Sequence, residues 1–278
     1  MSTSESPDHN PIHRSRRPRQ RRIAVLAGIV LIVVLLAWIQ PLFVLDGCDV
    51  VGLAICHQIP ERSFDIAGRP LPLCARCTGT FLGALLGFGM IFARRRTRCD
   101  DIPPIPVAAV LALFFVAWGA DGLNSYLTLL GGNLPHLYEP LNILRVTTGM
   151  LVGIALSSLV YPVLSMTVWA RTDDQRSIAS FKELGILLLI AGLIIVAILS
   201  GWTPVRYLAS ILSTLGVLSM LLLVTTLVVV VVLRRENRAT RWRDLWLPAA
   251  LGLLGTAGII TLMVSLRSYL TNRFGAPF

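Results

Sequence analysis

Apolar runs of about 20 residues recur along this chain, separated by short stretches that gather nearly all of its charge. Seven runs can be read, at 23–45, 74–93, 105–123, 141–164, 184–200, 207–233 and 247–266. A helix needs about 20 predominantly apolar residues to cross the hydrocarbon core of a bilayer. The pattern therefore predicts an all-α, polytopic membrane fold with about seven transmembrane helices. The first run is longer than the roughly 7–15 apolar residues of a signal peptide and lacks a small-x-small cleavage site, so it is expected to be a retained span. Residues 1–22 read as a disordered, basic cytoplasmic tail. The region 23–164 would hold four spans and the polar chemistry, and 165–278 three spans of scaffold.

Composition agrees. The chain is 55% hydrophobic and 14% charged, against about 25% charged in a soluble domain. A net charge of +10 could suggest nucleic acid, but its distribution points elsewhere. With the N-terminus in the cytoplasm, the inner segments carry Arg14, Arg16, Arg17, Arg19, Arg21 and Arg22, then Arg94, Arg95, Arg96 and Arg98, then Arg171, Arg176 and Lys182, then Arg234, Arg235, Arg238, Arg241 and Arg243. That is 18 of the 25 basic residues, the positive-inside bias of a multi-pass protein. The clusters are short, divided among loops and without an aromatic platform. The expected partner is the lipid bilayer of the plasma membrane and not nucleic acid, with the C-terminus extracytoplasmic.

This topology places one unusual segment outside: CHQIPERSFDIAGRPLPLCARCTGTFLG, residues 56–83. Cys48, Cys56, His57, Cys74 and Cys77 would lie in the first external loop or at the mouth of the second span. Cys99 stands alone on the inner side as a free thiol. Gly68 marks a turn before Pro70. A second external segment adds Asp121, Asn124, His136, Glu139 and Arg145. Asp121 and Arg145 sit near the outer ends of their spans, where an ion pair tying the third span to the fourth would neutralise both; substrate binding or a proton relay is the functional alternative. His136 and Glu139, three residues apart, could form a second metal position.

The cysteine cluster admits three readings. Cys56, His57, Cys74 and Cys77 make a Cys3His set, the soft N/S donors that Zn2+ takes in a tetrahedron; the C-x2-C half has metal-ligand spacing, whereas adjacent Cys56 and His57 diverge unless the chain turns tightly. Cys74 and Cys77 also open a transmembrane helix, where a thiol is acidified, as in thiol-disulfide or quinone-linked oxidoreductases, with Cys48 and Cys56 as a shuttle pair in the loop. Plain disulfides stapling an external loop are the third. Arg62 and Arg76 are candidates for binding an anionic group, and a transporter or lipid-handling protein is a further class.

An internal repeat can be aligned. PLPLCARCTGTFLG (residues 70–83) lies over PLNILRVTTGMLVG (residues 140–153) without gaps, matching Pro70, Leu71, Thr78, Gly79 and Gly83 to Pro140, Leu141, Thr148, Gly149 and Gly153. LDGCD (residues 45–49) echoes ADGLN (residues 120–124). Spans 1–2 and 3–4 would then be tandem hairpins, as occurs in transporters. Glycines four apart on the second and fourth spans predict faces that let backbones approach closely.

The motif CHQIPERSF…GRPLPLCARCTGTFLG, with the later DG…NILRVTTG, resembles the signature of a bacterial and archaeal family of integral membrane proteins, domain of unknown function 2085. The resemblance covers residues 48–153, a little over a third of the chain. It implies a membrane location and a shared site of Cys56, His57, Gln58, Arg62, Cys74, Arg76, Cys77, Asp121 and Arg145. It implies no particular activity and does not extend to the last three spans.

Overall fold

The computed structural model describes residues 41–128 and 138–274. Among these lie seven α-helices: α1 (Pro41–Ile55), α2 (Ala75–Ala93), α3 (Ile105–Leu127), α4 (Asn142–Val168), α5 (Phe181–Leu199), α6 (Thr203–Val232) and α7 (Trp246–Phe274). The six from α2 onward are long and apolar enough to cross a membrane. The expected first span and the basic tail lie outside the described residues, save the last part of the span. Helix α1 runs on through the polar sequence LDGCD, so Cys48 sits on a helix and not in a loop as expected. Several other helices overrun their apolar runs by a few residues. Hydropathy marks where side chains meet lipid, whereas backbone hydrogen bonding continues into the polar rim.

Leu45–Phe278 form one compact unit, with α2 and α4 as its most buried spans. Their contact is made backbone to backbone. A Cβ on Gly79 would come within 3.0 Å of the Val146 carbonyl carbon and 2.9 Å of the Met150 nitrogen. One on Gly149 would meet the Arg76 carbonyl, and lie 3.0 Å from the Thr80 nitrogen. Gly83 faces Met150, and Gly153 faces Thr80. Shifting every number by 70 exchanges these contacts: Gly79 with Gly149, Gly83 with Gly153, Arg76 with Val146, and Thr80 with Met150. The two helices run parallel and are related by an internal two-fold, in agreement with the sequence repeat. In lipid there is no hydrophobic drive between helices, so close van der Waals packing holds such a pair.

Around this pair the helices turn apolar side chains outward. Leu113, Val116 and Leu123 of α3 and Leu253, Leu254 and Leu262 of α7 are exposed, as suits contact with lipid tails. Helix α6 closes on α2 by laying Gly216 on the Phe81 carbonyl.

The basic connectors gather at one end. Arg98 donates to the Thr240 carbonyl at 2.9 Å, and its own carbonyl accepts from Asp173 at 2.9 Å. Arg96 forms a two-pronged pair with Glu183 at 2.7 and 2.8 Å. Strand β3 (Cys99–Asp101) pairs in parallel with β4 (Asp173–Arg176) there. Cys99 is fully buried and free, as expected. Residues 56–74 occupy the opposite end, where α2 begins and α7 finishes.

Candidate metal centre and arginine cavity

The segment that carries the thiols is folded back on itself by local chemistry. Helix α1 closes with the Cys56 N–H on the Gly52 carbonyl at 2.8 Å. Gln58 then adopts φ 53°, a left-handed conformation uncommon for a residue with a side chain. Its amide donates to the Pro72 carbonyl at 2.9 Å and to the Asp49 carbonyl at 3.3 Å, clamping the end of α1 to the approach of α2. Gly52 permits this: a Cβ there would lie 2.7 Å from the Gln58 amide and closer still to the Pro72 oxygen. A short hairpin, β1 (Asp65–Ile66) and β2 (Arg69–Pro70), returns the chain through Ala67 and Gly68, both at positive φ, the signature of a type I′ turn. Arg69 bridges Asp46 and Asp49 of α1.

The result brings three sulfurs together. The Sγ atoms of Cys56, Cys74 and Cys77 lie within 4.8 Å of one another. Cys56 is buried and accepts the Cys74 N–H at 3.3 Å and the Gln58 N–H at 3.5 Å. Such N–H donors favour a thiolate, but the neighbouring Cys74 sulfur and burial outweigh them and push the Cys56 thiol up. Cys74 precedes α2 in an extended conformation and Cys77 lies in its first turn. A tetrahedral ion with metal–sulfur bonds of about 2.3 Å sets its sulfurs about 3.8 Å apart, so a small contraction would close this trio around one. All five cysteines are free thiols, and no disulfide staples the loop. Cys48 and Cys56 are separated by eight residues of helical chain, about 12 Å at 1.5 Å per residue. That is too far for the expected shuttle pair, whose Cα atoms must approach to about 4.4–6.8 Å.

His57, the fourth expected ligand, lies outside the trio. It is exposed, on the wall of the adjoining cavity. Successive side chains diverge, and here the backbone is held from the other side: Arg267 of α7 donates to the carbonyls of Leu53 (3.1 Å), Cys56 (2.5 Å) and His57 (3.0 Å). Arg206, at the start of α6, donates to the Asp65 carbonyl at 2.9 Å and stands over the Phe64 ring at 5.5 Å. Two of the last three helices, read from sequence as scaffold, thus reach the site loop: α6 through Arg206 and α7 through Arg267.

Beside the sulfurs opens a cavity of about 370 Å³, lined by all three thiol residues together with Arg62, Arg76 and Arg145. Asp121 is 1% exposed. The expected Asp121–Arg145 pair is not formed: Arg76 takes the carboxylate, with its Nε at 3.1 Å from Oδ2 and Nη2 at 3.1 Å from the Asp121 carbonyl. Arg76 projects from the first turn of α2 across to α3, engaging both side chain and backbone of Asp121 and tying α3 to α2. Arg145 instead donates to Asn142 at 2.8 Å and to Ser125 Oγ at 3.4 Å. Tyr138 completes the shell by donating to Asp121 Oδ1 at 2.9 Å; burial and this hydrogen bond push its phenol above the ordinary value. Arg62 donates to the Ser125 carbonyl at 2.9 Å, and burial together with nearby Arg76 lowers its guanidinium from the usual range. Glu139 is exposed and not on the cavity wall; His136 lies outside the described residues.

Sequence reasoning missed Ser125, Tyr138 and Arg267. Ser125 follows Asp121 by four residues and so shares its helix face, a usable signal. Tyr138 and Arg267 carry none, because they reach the site only through loop path and helix packing.

The fold and site define a polytopic helical membrane protein with a thiol and arginine centre at one rim of the bundle. The chain belongs to the predicted membrane protein family termed domain of unknown function 2085, whose model matches residues 56–159. An uncharacterized protein of Methanocaldococcus jannaschii is 32% identical over 117 residues, covering 42% of this chain and 68% of that protein. An uncharacterized protein of Methanothermobacter thermautotrophicus is 34% identical over 105 residues, covering 38% of this chain and 83% of its own length. No solved structure matches the chain. The match begins at Cys56 and contains the trio and the three cavity arginines; α5, α6 and α7, with Arg206 and Arg267, lie beyond it.

Proposed function

We propose that Cys56, Cys74 and Cys77 form a binding site for a Zn2+-class metal ion at the extracytoplasmic rim of this membrane protein. The observation that carries the reading is the convergence of three sulfurs, from two segments 18 residues apart, to within 4.8 Å. The ligands would bind as thiolates, so uptake releases protons and weakens in acid. Three protein ligands leave a fourth position for water or a substrate atom, the layout of a catalytic rather than a closed structural zinc site; here that position would face the cavity. His57, on the cavity wall, is the imidazole available to close it. Asp121 accepts from Arg76 and Tyr138 and so positions the Arg76 fork on the cavity wall. We infer the orientation from the clustering of basic connectors at the opposite end: on this reading the N-terminus is cytoplasmic and the end of α7 lies outside, in the plasma membrane.

The test is metal content of the full-length protein purified in detergent. About one ion per chain is expected, falling at least tenfold in Cys74→Ser/Cys77→Ser. Metal retained in His57→Ala means an open fourth position, whereas loss means that the imidazole closes it. A folded wild-type protein without metal refutes the proposal.

A second reading, thiol-disulfide exchange by Cys74 and Cys77, draws on the free state of the trio and the position of the pair at the start of α2. A mixed disulfide trapped on Cys74 or Cys77, or thiols that change state with an added quinone, would favour it. A transport path between α2 and α4 is disfavoured, because these two helices meet backbone to backbone.

A further inference from the structure

Three arginines converge on one serine. Arg62 donates to the Ser125 carbonyl at 2.9 Å, Arg76 to its Oγ at 3.2 Å, and Arg145 to the same Oγ at 3.4 Å. All three line the cavity. Asp121 is committed to Arg76. Among the described residues no carboxylate lies within ion-pair distance of Arg62 or Arg145, and the hydrogen bonds of both go to neutral oxygens. Arg145 is nevertheless 6% exposed. A guanidinium stays charged in a protein, and a buried charge without a counter-charge is costly. Three such forks packed side by side also repel one another.

This arrangement lacks an anion. We propose that the Arg62, Arg76 and Arg145 cavity binds a phosphate-type oxyanion, either free or as the headgroup of an anionic lipid. The charge balance has the right sign: three guanidinium groups face one carboxylate, an excess of two positive charges. A divalent ion on three thiolates would contribute one negative charge and leave an excess of one. A phosphate monoester carries about −1.5 to −2 at neutral pH, and a lipid phosphodiester carries one negative charge. Geometry favours phosphate over carboxylate. Arginine forks pair with oxyanions in two-pronged fashion, and a tetrahedral anion presents edges to three forks where a planar carboxylate serves two. The cavity also borders Trp118 and Tyr126 of α3, both exposed. Aromatic residues of this kind sit at the level of lipid headgroups, which places the cavity mouth where a lipid phosphate would lie. The inference does not depend on what the thiols hold.

Thermal unfolding of the full-length protein tests it, with chloride holding ionic strength constant. In detergent, inorganic phosphate is expected to raise the unfolding midpoint of the wild type. Arg62→Gln and Arg145→Gln should each need at least tenfold more phosphate for the same rise. Without anion, Arg145→Gln should unfold no earlier than wild type, since it removes an uncompensated charge; if it does not fold, Arg62→Gln, less buried, carries the comparison. In nanodiscs, phosphatidic acid in phosphatidylcholine is compared with phosphatidylcholine alone. Stabilisation by inorganic phosphate identifies a free anion. Stabilisation by phosphatidic acid alone, lost in both variants, identifies a lipid headgroup. No stabilisation by either probe, or equal stabilisation of wild type and variants, overturns the inference. Metal-free protein that still responds to phosphate would leave it standing, so the two proposals fail separately.

Discussion

Adding one methyl group to Gly83 tests the central helix pair. In an open helix position Gly→Ala stabilises by about 1 kcal/mol. Gly89, on the same helix with nothing within 4 Å of its notional Cβ, should show that gain. At Gly83 the new carbon would sit 3.0 Å from the Met150 carbonyl carbon and 3.1 Å from its Cα, with the oxygen nearer still. Carbon atoms pack best at about 3.5–4.0 Å, and a backbone cannot swing aside as a side chain can. The helices must part by about 1 Å, which forfeits a quarter to a half of the dispersion well along the seam. Overpacking of this kind costs about 1–3 kcal/mol. Gly83→Ala should therefore lie about 3 kcal/mol below Gly89→Ala in reversible unfolding of the detergent-solubilised protein, followed by far-ultraviolet circular dichroism. Gly153→Ala, its mate under the internal two-fold, should cost about as much. The double variant should cost less than the sum, because one separation relieves both clashes. Equal stability of Gly83→Ala and Gly89→Ala would refute the backbone-to-backbone packing and the symmetry read from it.

Two further perturbations probe the site. Asp121→Asn leaves the Arg76 fork without its charge partner; breaking a buried pair costs about 3–5 kcal/mol, and the partial exposure of Arg76 places the expected loss near 3 kcal/mol. An unfolding midpoint equal to wild type would show the pair to be dispensable. Arg267→Gln removes hydrogen bonds to three carbonyls at the end of α1 and should cost about 1–2 kcal/mol. Amide hydrogen exchange should quicken across residues 52–58 while α2 stays protected; unchanged exchange there would mean that α7 does not hold the thiol loop.

Much of this molecule was legible in its residues. Six of the seven apolar runs are the six long apolar helices, because hydropathy is a local property and each run alone exceeds what a bilayer core requires. The grouping of Cys56 with Cys74 and Cys77 was also readable, since a C-x2-C pair with a third thiol in the same polar segment has the spacing of shared soft donors, although His57 was read with them. The glycine spacing announced close packing. What it could not name was the partner: that α2 and α4 face each other follows from the numbers of the contacting residues, not from either helix by itself.

The sequence by itself determined a multi-pass helical membrane protein, a family signature from Cys56 onward, and a polar rim rich in sulfur and arginine. Tertiary structure alone decided which charges meet. Asp121 has Arg76 and not Arg145 as its partner, His57 stands apart from the thiols beside it in the chain, and Arg267 reaches across from the last helix to hold their loop. The physical reason is range: crossing a bilayer depends on a sum over neighbouring residues, whereas ion pairing and coordination fall off within a few ångströms and depend on which helix ends packing brings side by side.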